Sequence, residues 1–160
     1  MKSLVIALAL SASFSATANG TNPNEGGPTK LPIYTISFEE EGGPNSEVET
    51  SVRTYIENFH EGDFEEMREV LSNNFTNQGL NRDGSLTPVQ KLDDIQGLMV
   101  GQEVVAPDAQ NNEITITAIN GEVASAELIT GANGQRWKEH ITLVRENGNW
   151  KVDKVFWSFL

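Results

Sequence analysis

The stretch ITITAINGEVASAELIT, residues Ile114–Thr130, decides the fold. Apolar and polar residues alternate on both sides of Asn120-Gly121, and alternation with a period of two is the pattern of a half-buried β-strand. Asparagine followed by glycine tolerates positive backbone φ angles, so we expect a two-residue hairpin turn at this dipeptide. The stretch therefore predicts two antiparallel strands, Ile114–Ile119 and Val123–Thr130.

A second hairpin is predicted directly after the first. The segment Gly131–Gly134 is typical of a turn, and Arg136–Arg145 and Asn149–Phe159 again have strand character on either side of Asn147-Gly148. Two hairpins in succession predict an antiparallel meander of four long strands.

The register of the last hairpin decides which side chains share a face of the sheet. A two-residue turn at Asn147-Gly148 places His140 opposite Val155 and Lys138 opposite Trp157. One face then carries Lys138, His140, Thr142, Val144, Asp153, Val155, Trp157 and Phe159, and the other carries Trp137, Glu139, Ile141, Leu143, Trp150, Val152, Lys154, Phe156 and Ser158. Both faces are partly apolar, so we expect one to pack on helices and the other on a partner subunit or the N-terminal segment. A single β-bulge would reverse these faces.

The first helix has a clear start and stop. Ser46 and Glu49 have the spacing of a capping box, in which each side chain bonds the backbone amide of the other residue. Gly62 ends the helix, because glycine adopts the left-handed conformation at no steric cost. Between them, the apolar face recurs with helical spacing and contains Val48, Val52, Tyr55, Ile56 and Phe59.

Two further helices are predicted before the sheet. Asp63 is expected to cap the second helix, and Thr87 the third, with Pro88 at its first position and Gln90 completing a capping box. Gly97 is expected to end or fray this third helix. The intervening residues Asn73–Gly84 are rich in turn formers, and short extended pieces at most are expected there. Helices followed by an antiparallel meander predict an α+β fold with three helices on one face of a curved sheet.

The N-terminus has the pattern of an export signal. Residues 1–18 contain a positive start, a short apolar run and the small-x-small motif Ala16-Thr17-Ala18, which predicts a signal peptide cleaved after Ala18. We therefore expect a periplasmic or secreted protein, with no membrane insertion after cleavage. Residues 19–45 are interpreted as a flexible linker or arm, in which Ile33–Phe38 either adds an edge strand or folds over the domain. Residues 46–160 are interpreted as the folded domain.

Composition limits the partners and cofactors. The chain has no cysteine and a formal net charge of −12, which becomes one unit more negative when Lys2 is removed with the signal peptide. This charge repels phosphate backbones, so we do not expect nucleic acid as a partner. Neither a dinucleotide or phosphate-binding motif nor a metal-ligand pattern is present, so we expect no cofactor and no metal site.

Two motifs resemble the NTF2-like (nuclear transport factor 2-like) superfamily. Tyr55–Phe64 is similar to the end of its first helix, and Gly148–Trp157 is similar to its last strand. With Asp83–Leu86, the likeness is greatest to a small SnoaL-like group known as putative lumazine-binding proteins, and it covers Ser46–Leu160. The resemblance implies a cone-shaped α+β fold with a ligand pocket between the sheet and the first helices. It does not imply one activity, because proteins of this fold include isomerases, dehydratases, cyclases and scaffolds.

The resemblance also implies candidate pocket residues. A loose similarity to ketosteroid isomerases aligns Tyr55 and His140 with their oxyanion-donating residues and Trp157 with a pocket tryptophan. If the sheet faces are reversed, Trp137 and Glu139 line the pocket instead. The position of the isomerase base falls within Phe75–Leu80, which contains no group that titrates near neutral pH and so argues against that activity.

Three functions remain open at this stage. The leading interpretation is a dimeric protein that binds a small, largely apolar ligand in the cone. An enzyme of the dehydratase, isomerase or cyclase type would use His140 as its acid or base, because histidine titrates near neutral pH. A non-catalytic interaction module would have a filled cone. His60, at the end of the first helix, is interpreted as structural.

Overall fold

The computed structural model describes residues 43–160. The predicted signal peptide with its cleavage site after Ala18, the predicted arm up to residue 42 and the edge strand predicted at Ile33–Phe38 all lie outside the described residues. Within residues 43–160 no helix combines the length and the apolar character needed to cross a membrane.

Residues 43–160 form an α+β fold with a curved sheet, which confirms the predicted fold class. The sheet has five strands and the described chain has four helices, where the sequence predicts four strands and three helices. The strands lie in the order β1-β5-β4-β3-β2, with β1 parallel to β5 and every other pair antiparallel. In chain order the elements are α1 (Pro44–Glu61), α2 (Phe64–Arg68), β1 (Leu71–Leu80), α3 (Leu92–Met99), α4 (Pro107–Gln110), β2 (Glu113–Asn120), β3 (Val123–Ala132), β4 (Gln135–Glu146) and β5 (Asn149–Phe159).

The core lies between α1 and the inner face of the curved sheet. The predicted apolar face of α1 packs there, with Val48, Val52 and Ile56 fully buried and only Phe59 partly exposed. Burial of each such side chain contributes about 1.5–3 kcal/mol. The sheet side of this core consists of Phe75, Ala124, Ala126, Leu128, Ile141, Leu143, Trp150, Val152 and Val155.

The predicted capping box of the first helix is wrong. The N-cap is Gly43 instead of Ser46, so the helix begins three residues earlier than predicted, at Pro44, and the amides of Ser46 and Glu47 bond to the Gly43 carbonyl. Proline suits this first position because its fixed φ angle is helical and it has no N–H that would need an acceptor. The predicted end is confirmed, since Gly62 has a φ of 76°.

The cap of the second helix is confirmed and that of the third is wrong. Asp63 accepts a hydrogen bond from the Glu66 amide. Helix α3 begins at Leu92 instead of Pro88, with Lys91 as N-cap and Asp94 bonded back to its amide, and it continues through Gly97.

The residues predicted to cap α3 instead line the edge of an unpredicted strand. Asn73–Gly84 was expected to be turn-rich, but residues up to Leu80 belong to β1. Thr87 bonds to both backbone groups of Gly79, and Gln90 exchanges two backbone hydrogen bonds with Asn77. The segment from Thr87 to Gln90 bonds to one side of β1, and β5 pairs with the other side.

The hairpin at Asn147-Gly148 is confirmed, but its register changes at a β-bulge. Both turn residues have positive φ angles of 53° and 83°. Leu143 pairs with Val152, whereas Thr142 pairs with Lys154, so Asp153 is an extra residue in β5. The predicted pairings are therefore wrong: His140 lies opposite Phe156, and Lys138 opposite Ser158.

The first hairpin turns one residue later than predicted. Asn120 is the last residue of β2 and pairs with Val123, so that Gly121 and Glu122 form the turn, and Gly121 has a φ of 60°. A bulge between Ile116 and Ala118 accounts for the change in phase of β2.

A glycine in β1 is required by a tryptophan that lies on it. A methyl group on Gly79 would overlap the Trp157 indole, whereas a methyl group on Gly97 in α3 would enter open space. We expect Gly79→Ala to lower the free energy of unfolding by about 1–3 kcal/mol, because the indole must be displaced. Gly97→Ala is the control and is expected to raise it by up to about 1 kcal/mol. Denaturant unfolding measures both, and equal effects of the two variants would contradict this packing.

Candidate functional site

The bulge at Asp153 brings members of both predicted faces together on the inner side of the sheet. Trp157 of β5 lies directly opposite Glu139 of β4, and Phe159 lies opposite Trp137. Tyr55 of α1 packs over the same surface and is 2 % exposed. We call Tyr55, Asn77, Trp137, Glu139 and Trp157 the inner site.

Glu139 is the buried acid of the inner site. Its side chain is 3 % exposed, and Oε1 accepts a hydrogen bond of 2.9 Å from Trp137 Nε1. Oε2 has no hydrogen-bond partner among residues 43–160. Burial raises the pKa of this carboxyl to about 7, although the Trp137 bond and the polar Tyr55 hydroxyl both favour the charged form. Near neutral pH Glu139 is therefore present in both protonation states.

Tyr55 is the second polar group facing this acid. Burial raises the pKa of Tyr55 well above its usual value, and the negative charge of Glu139 raises it further. The hydroxyl faces the Glu139 carboxyl, but burial is the larger cause of the raised pKa of Tyr55. Tyr55 stays protonated and can act as a hydrogen-bond donor.

Trp157 is held by β1, the strand that sequence reasoning missed. Its Nε1 donates to Asn77 Oδ1 at 2.9 Å, and its ring lies over Gly79. Its edge meets Phe159 at a centroid distance of 5.4 Å, and the Arg82 guanidinium lies 4.7 Å from the Phe159 ring centre. Trp137 and Trp157, which we call the aromatic pair, are both half-buried, and each adjoins the buried Glu139, through a hydrogen bond and through strand pairing respectively.

The structure does not bring His140 to the other four predicted residues. His140 lies on the outer face of the sheet, and its Nδ1 is 3.5 Å from Glu127 Oε1. Lys154, which the predicted register places on the same face as Glu139, is exposed on the outer side and pairs with Thr142 beyond the bulge.

Asn77 belongs to the inner site although the sequence did not single it out. It lies in the segment where a titrating base was sought and not found. Phe75, Asn77 and Gly79 form an alternating, inward-facing set, and all three are buried. In the sequence, the one large apolar residue of this set is Phe75. A single apolar residue is too weak a pattern to distinguish a strand from a loop.

The grooves on the surface of residues 43–160 lie elsewhere. One of about 490 Å³ separates the start of α1 from the β4–β5 hairpin, and it is continued by another of about 460 Å³ beside Glu69 and Lys151. A third, of about 320 Å³, lies beside Phe75 and Leu92. None of these three is lined by Tyr55, Trp137, Glu139 or Trp157. The described part of the chain also contains no group of three or more acidic or histidine side chains arranged to hold a metal ion.

A family model described as "Putative lumazine-binding" matches residues 44–158. The chain belongs to this family. The match covers every helix described above and all of the sheet except Phe159, so the inner site lies wholly within the family's domain. No match was found among curated proteins.

Solved structures show that this member of the family has the NTF2-like fold. An NTF2-like protein of unknown function from Shewanella baltica has a TM-score of 0.62 and 20 % identity, covering 76 % of this chain and 97 % of that one. A ketosteroid isomerase-like protein from Erwinia carotovora atroseptica has a TM-score of 0.55 and 14 % identity, with 77 % and 98 % covered. At these identities the likeness establishes the fold alone.

The buried acid makes a specific prediction about stability and pH. The pKa of Glu139 is about 7 in the folded protein against an ordinary value of 4.5. A raised folded pKa favours folding at low pH, and this contribution is lost as pH rises from about 4.5 through 7. Glu139→Gln cannot ionise. We therefore expect its free energy of unfolding, relative to the wild type, to rise by about 3 kcal/mol between pH 4 and pH 8.

Glu127→Gln is the control for this measurement. Lys138 holds the pKa of Glu127 below its usual value, so any change for this variant has the opposite sign. Denaturant unfolding across pH measures both variants. A relative stability of Glu139→Gln that does not change with pH would show that Glu139 ionises freely in the folded protein.

Proposed function

We propose that the protein binds a small, largely apolar ligand carrying a carbonyl group at the inner site. The observation that supports this most is the buried Glu139 carboxyl, whose Oε2 has no partner within residues 43–160. A buried polar atom without a hydrogen bond costs about 1–3 kcal/mol, so its retention favours a role in binding. Membership in a lumazine-binding family supports a small-ligand site.

The chemistry of the inner site favours an acceptor on the ligand. The Tyr55 hydroxyl donates, and Glu139 donates from Oε2 when it is protonated. Two converging donors match the lone pairs of one carbonyl oxygen. Phe75 contacts Tyr55, Trp137 bonds to Glu139, and Trp157 lies opposite Glu139. These aromatic side chains match an apolar ring system, as in most small-molecule sites.

Access to Glu139 requires movement of the aromatic pair. Tyr55 and Glu139 are nearly fully buried, whereas Trp137 and Trp157 are partly exposed above them. Rotation of these indoles about their side-chain bonds would open a path without changing the sheet. If the pair does not move, the cone is filled, and the protein is the interaction module that the sequence left open.

Binding is tested first without assuming the ligand. Native mass spectrometry of the chain purified from its own host would detect a co-purifying small molecule. Titration with lumazine and with a ketosteroid, followed by tryptophan fluorescence, then supplies two carbonyl-bearing probes. We expect quenching or a spectral shift from at least one of them, because both indoles of the inner site meet the probe.

Two single-group variants identify the site that binds the probe. Tyr55→Phe removes one donor, and we expect the affinity for the binding probe to fall about 2–13-fold, which corresponds to one net hydrogen bond. His140→Ala is the matched control on the outer face and is expected to bind unchanged. Loss of binding in His140→Ala but not in Tyr55→Phe would move the site to the outer face. No bound molecule and no response to either probe would favour a filled cone.

An enzyme is the second candidate, and one observation favours it. A carboxyl with a pKa of about 7 can both accept and release a proton near neutral pH. In this candidate Glu139, and not His140, moves a proton at Oε2 to or from the carbon next to the ligand carbonyl. Exchange of deuterium into a bound ketone, followed by NMR, tests it: exchange that persists unchanged in Glu139→Gln would exclude this role.

We also propose that the mature protein is exported and forms a dimer. Export rests on the pattern of residues 1–18. Dimerisation rests on the outer face of the sheet, where the half-exposed Phe156 lies opposite His140. On the same face, Glu127 lies opposite His140 from the other side and forms an ion pair of 2.8 Å with Lys138. A second copy offers the same apolar group and the same paired charges.

Light scattering tests the dimer directly. We expect the mass of two chains, and we expect Phe156→Asp to shift it to one chain by placing a charge in the contact. A wild-type protein with the mass of a single chain would exclude a dimer of this kind.

A further inference from the structure

A closed ring of hydrogen bonds joins the end of α1 to the segment before β2. The ring starts at the His60 imidazole, where Nε2 lies 2.9 Å from Thr130 Oγ1. Thr130 Oγ1 donates to Asn112 Oδ1 at 2.6 Å, and Asn112 Nδ2 donates to Gln110 Oε1 at 2.9 Å. Gln110 Nε2 donates to the Val105 carbonyl, and the Val105 amide returns to the His60 carbonyl, both at 3.0 Å.

Burial makes each bond of this ring consequential. His60, Thr130 and Gln110 are at most 1 % exposed. The His60 carbonyl is among the last four of α1, which have no partner within the helix, and the Val105 amide satisfies it. The segment from Val105 to Asn112, which contains α4, is thus fixed to the helix end and to β3 by a single polar circuit.

The ring also determines the tautomer of His60. The one hydroxyl proton of Thr130 is used toward Asn112 Oδ1, so the Thr130 oxygen must accept from His60. His60 therefore carries its proton on Nε2. Burial lowers the pKa of His60, which keeps its imidazole neutral at neutral pH. The structural role of His60 stays a prediction. A protonated His60 that would complement the helix dipole does not fit the structure, because the imidazole is buried and neutral.

His60 touches the inner site through one aromatic contact. Its ring lies 5.9 Å from the Trp137 ring centre, and Thr130 is the residue directly opposite Trp137 in the sheet. Trp137 in turn donates its indole N–H to Glu139. Three consecutive contacts thus lead from the α4 segment to the buried acid.

We propose that His60 is the positioning residue of the inner site, holding the Trp137 indole in the orientation in which its N–H reaches Glu139. The positioning of Trp137 is a property of the free protein. Only its purpose, the binding of a ligand at Glu139, rests on the proposed function. His60 does not touch the reacting or ligand-binding oxygen of Glu139. It acts through Trp137 and is held by Thr130, Asn112 and Gln110.

Few other charges face Glu139. The titratable group that approaches it from α1 is Tyr55. His60, also on α1, reaches it only through Trp137. The charged side chains of Glu127, Lys138 and His140 belong to the outer face of the same strands. A change in the pKa of Glu139 after a substitution in the ring therefore reports on the Trp137 bond.

The test removes the central bond of the ring without touching the inner site. Thr130→Val has nearly the same shape as the wild type and lacks the hydroxyl, Thr130→Ser restores the hydroxyl, and Thr142→Val is the same change on the outer side of β4. Carbon-13 NMR of labelled glutamate carboxyls gives the pKa of Glu139 in each free protein, with Glu139→Gln assigning the signal. We expect Thr130→Val to raise this pKa by about one unit, because weakening the Trp137 bond destabilises the carboxylate.

The remaining outcomes decide the proposal. Thr130→Ser should return the pKa of Glu139 to the wild-type value, and Thr142→Val should leave it there. A pKa that is the same in Thr130→Val and the wild type would overturn the positioning role. Nitrogen-15 NMR of the two histidines in the wild-type protein is a second measurement, independent of folding in the variants. A proton on Nδ1 and not Nε2 of His60 would exclude the ring as described.

These readouts separate the two proposals. They are made on the free protein, so they stand if no ligand is found. If the probes bind and Thr130→Val leaves the pKa of Glu139 unchanged, the binding site remains and the positioning role fails.

Discussion

One extra residue in β5, Asp153, determines which side chains meet inside this protein. Before the bulge, Trp150 and Val152 face inward, and after it Val155 and Trp157 do so, although strict alternation would turn them outward. Ser72 holds the bulge through a 2.6 Å hydrogen bond to the Asp153 carboxylate. The inner site exists only in this register, because Trp157 would otherwise leave the face that carries Glu139.

The same bulge explains why the protein can bury an ionisable acid. Trp157 covers the carboxyl from β5, Trp137 gives it one hydrogen bond, and Tyr55 closes the site from α1. Such an environment is too apolar to stabilise a full negative charge, and the pKa rises accordingly. Burying this acid costs free energy, and the apolar core packed around the inner site offsets that cost.

The sequence was sufficient for the fold class and for the four antiparallel strands. Their alternation and their Asn-Gly dipeptides are local signals, and the Gly62 and Asp63 boundaries are local as well. Strand β1 gave no such signal. Its LSNNFTNQGL sequence is rich in asparagine, and it is a strand because β5 and the Thr87 to Gln90 segment pair with both of its edges. Tertiary pairing of this kind overrides intrinsic preference.

Four of the five residues of the inner site were predicted from the sequence, but the face of the sheet on which each of them lies was not. Tyr55, Trp137, Glu139 and Trp157 were all named from the sequence, and they were divided between two alternatives that the bulge joins into one. His140 was named with them because a loose similarity to ketosteroid isomerases aligns it with a pocket position, yet its neighbour Glu139 is the group that is buried and has a pKa of about 7. A side chain acquires unusual chemistry from burial rather than from its residue type, and burial in a strand changes with a shift of one position. The residues that can ionise were therefore visible in the sequence, whereas the one whose ionisation matters depends on a bulge held by a hydrogen bond between residues 81 positions apart.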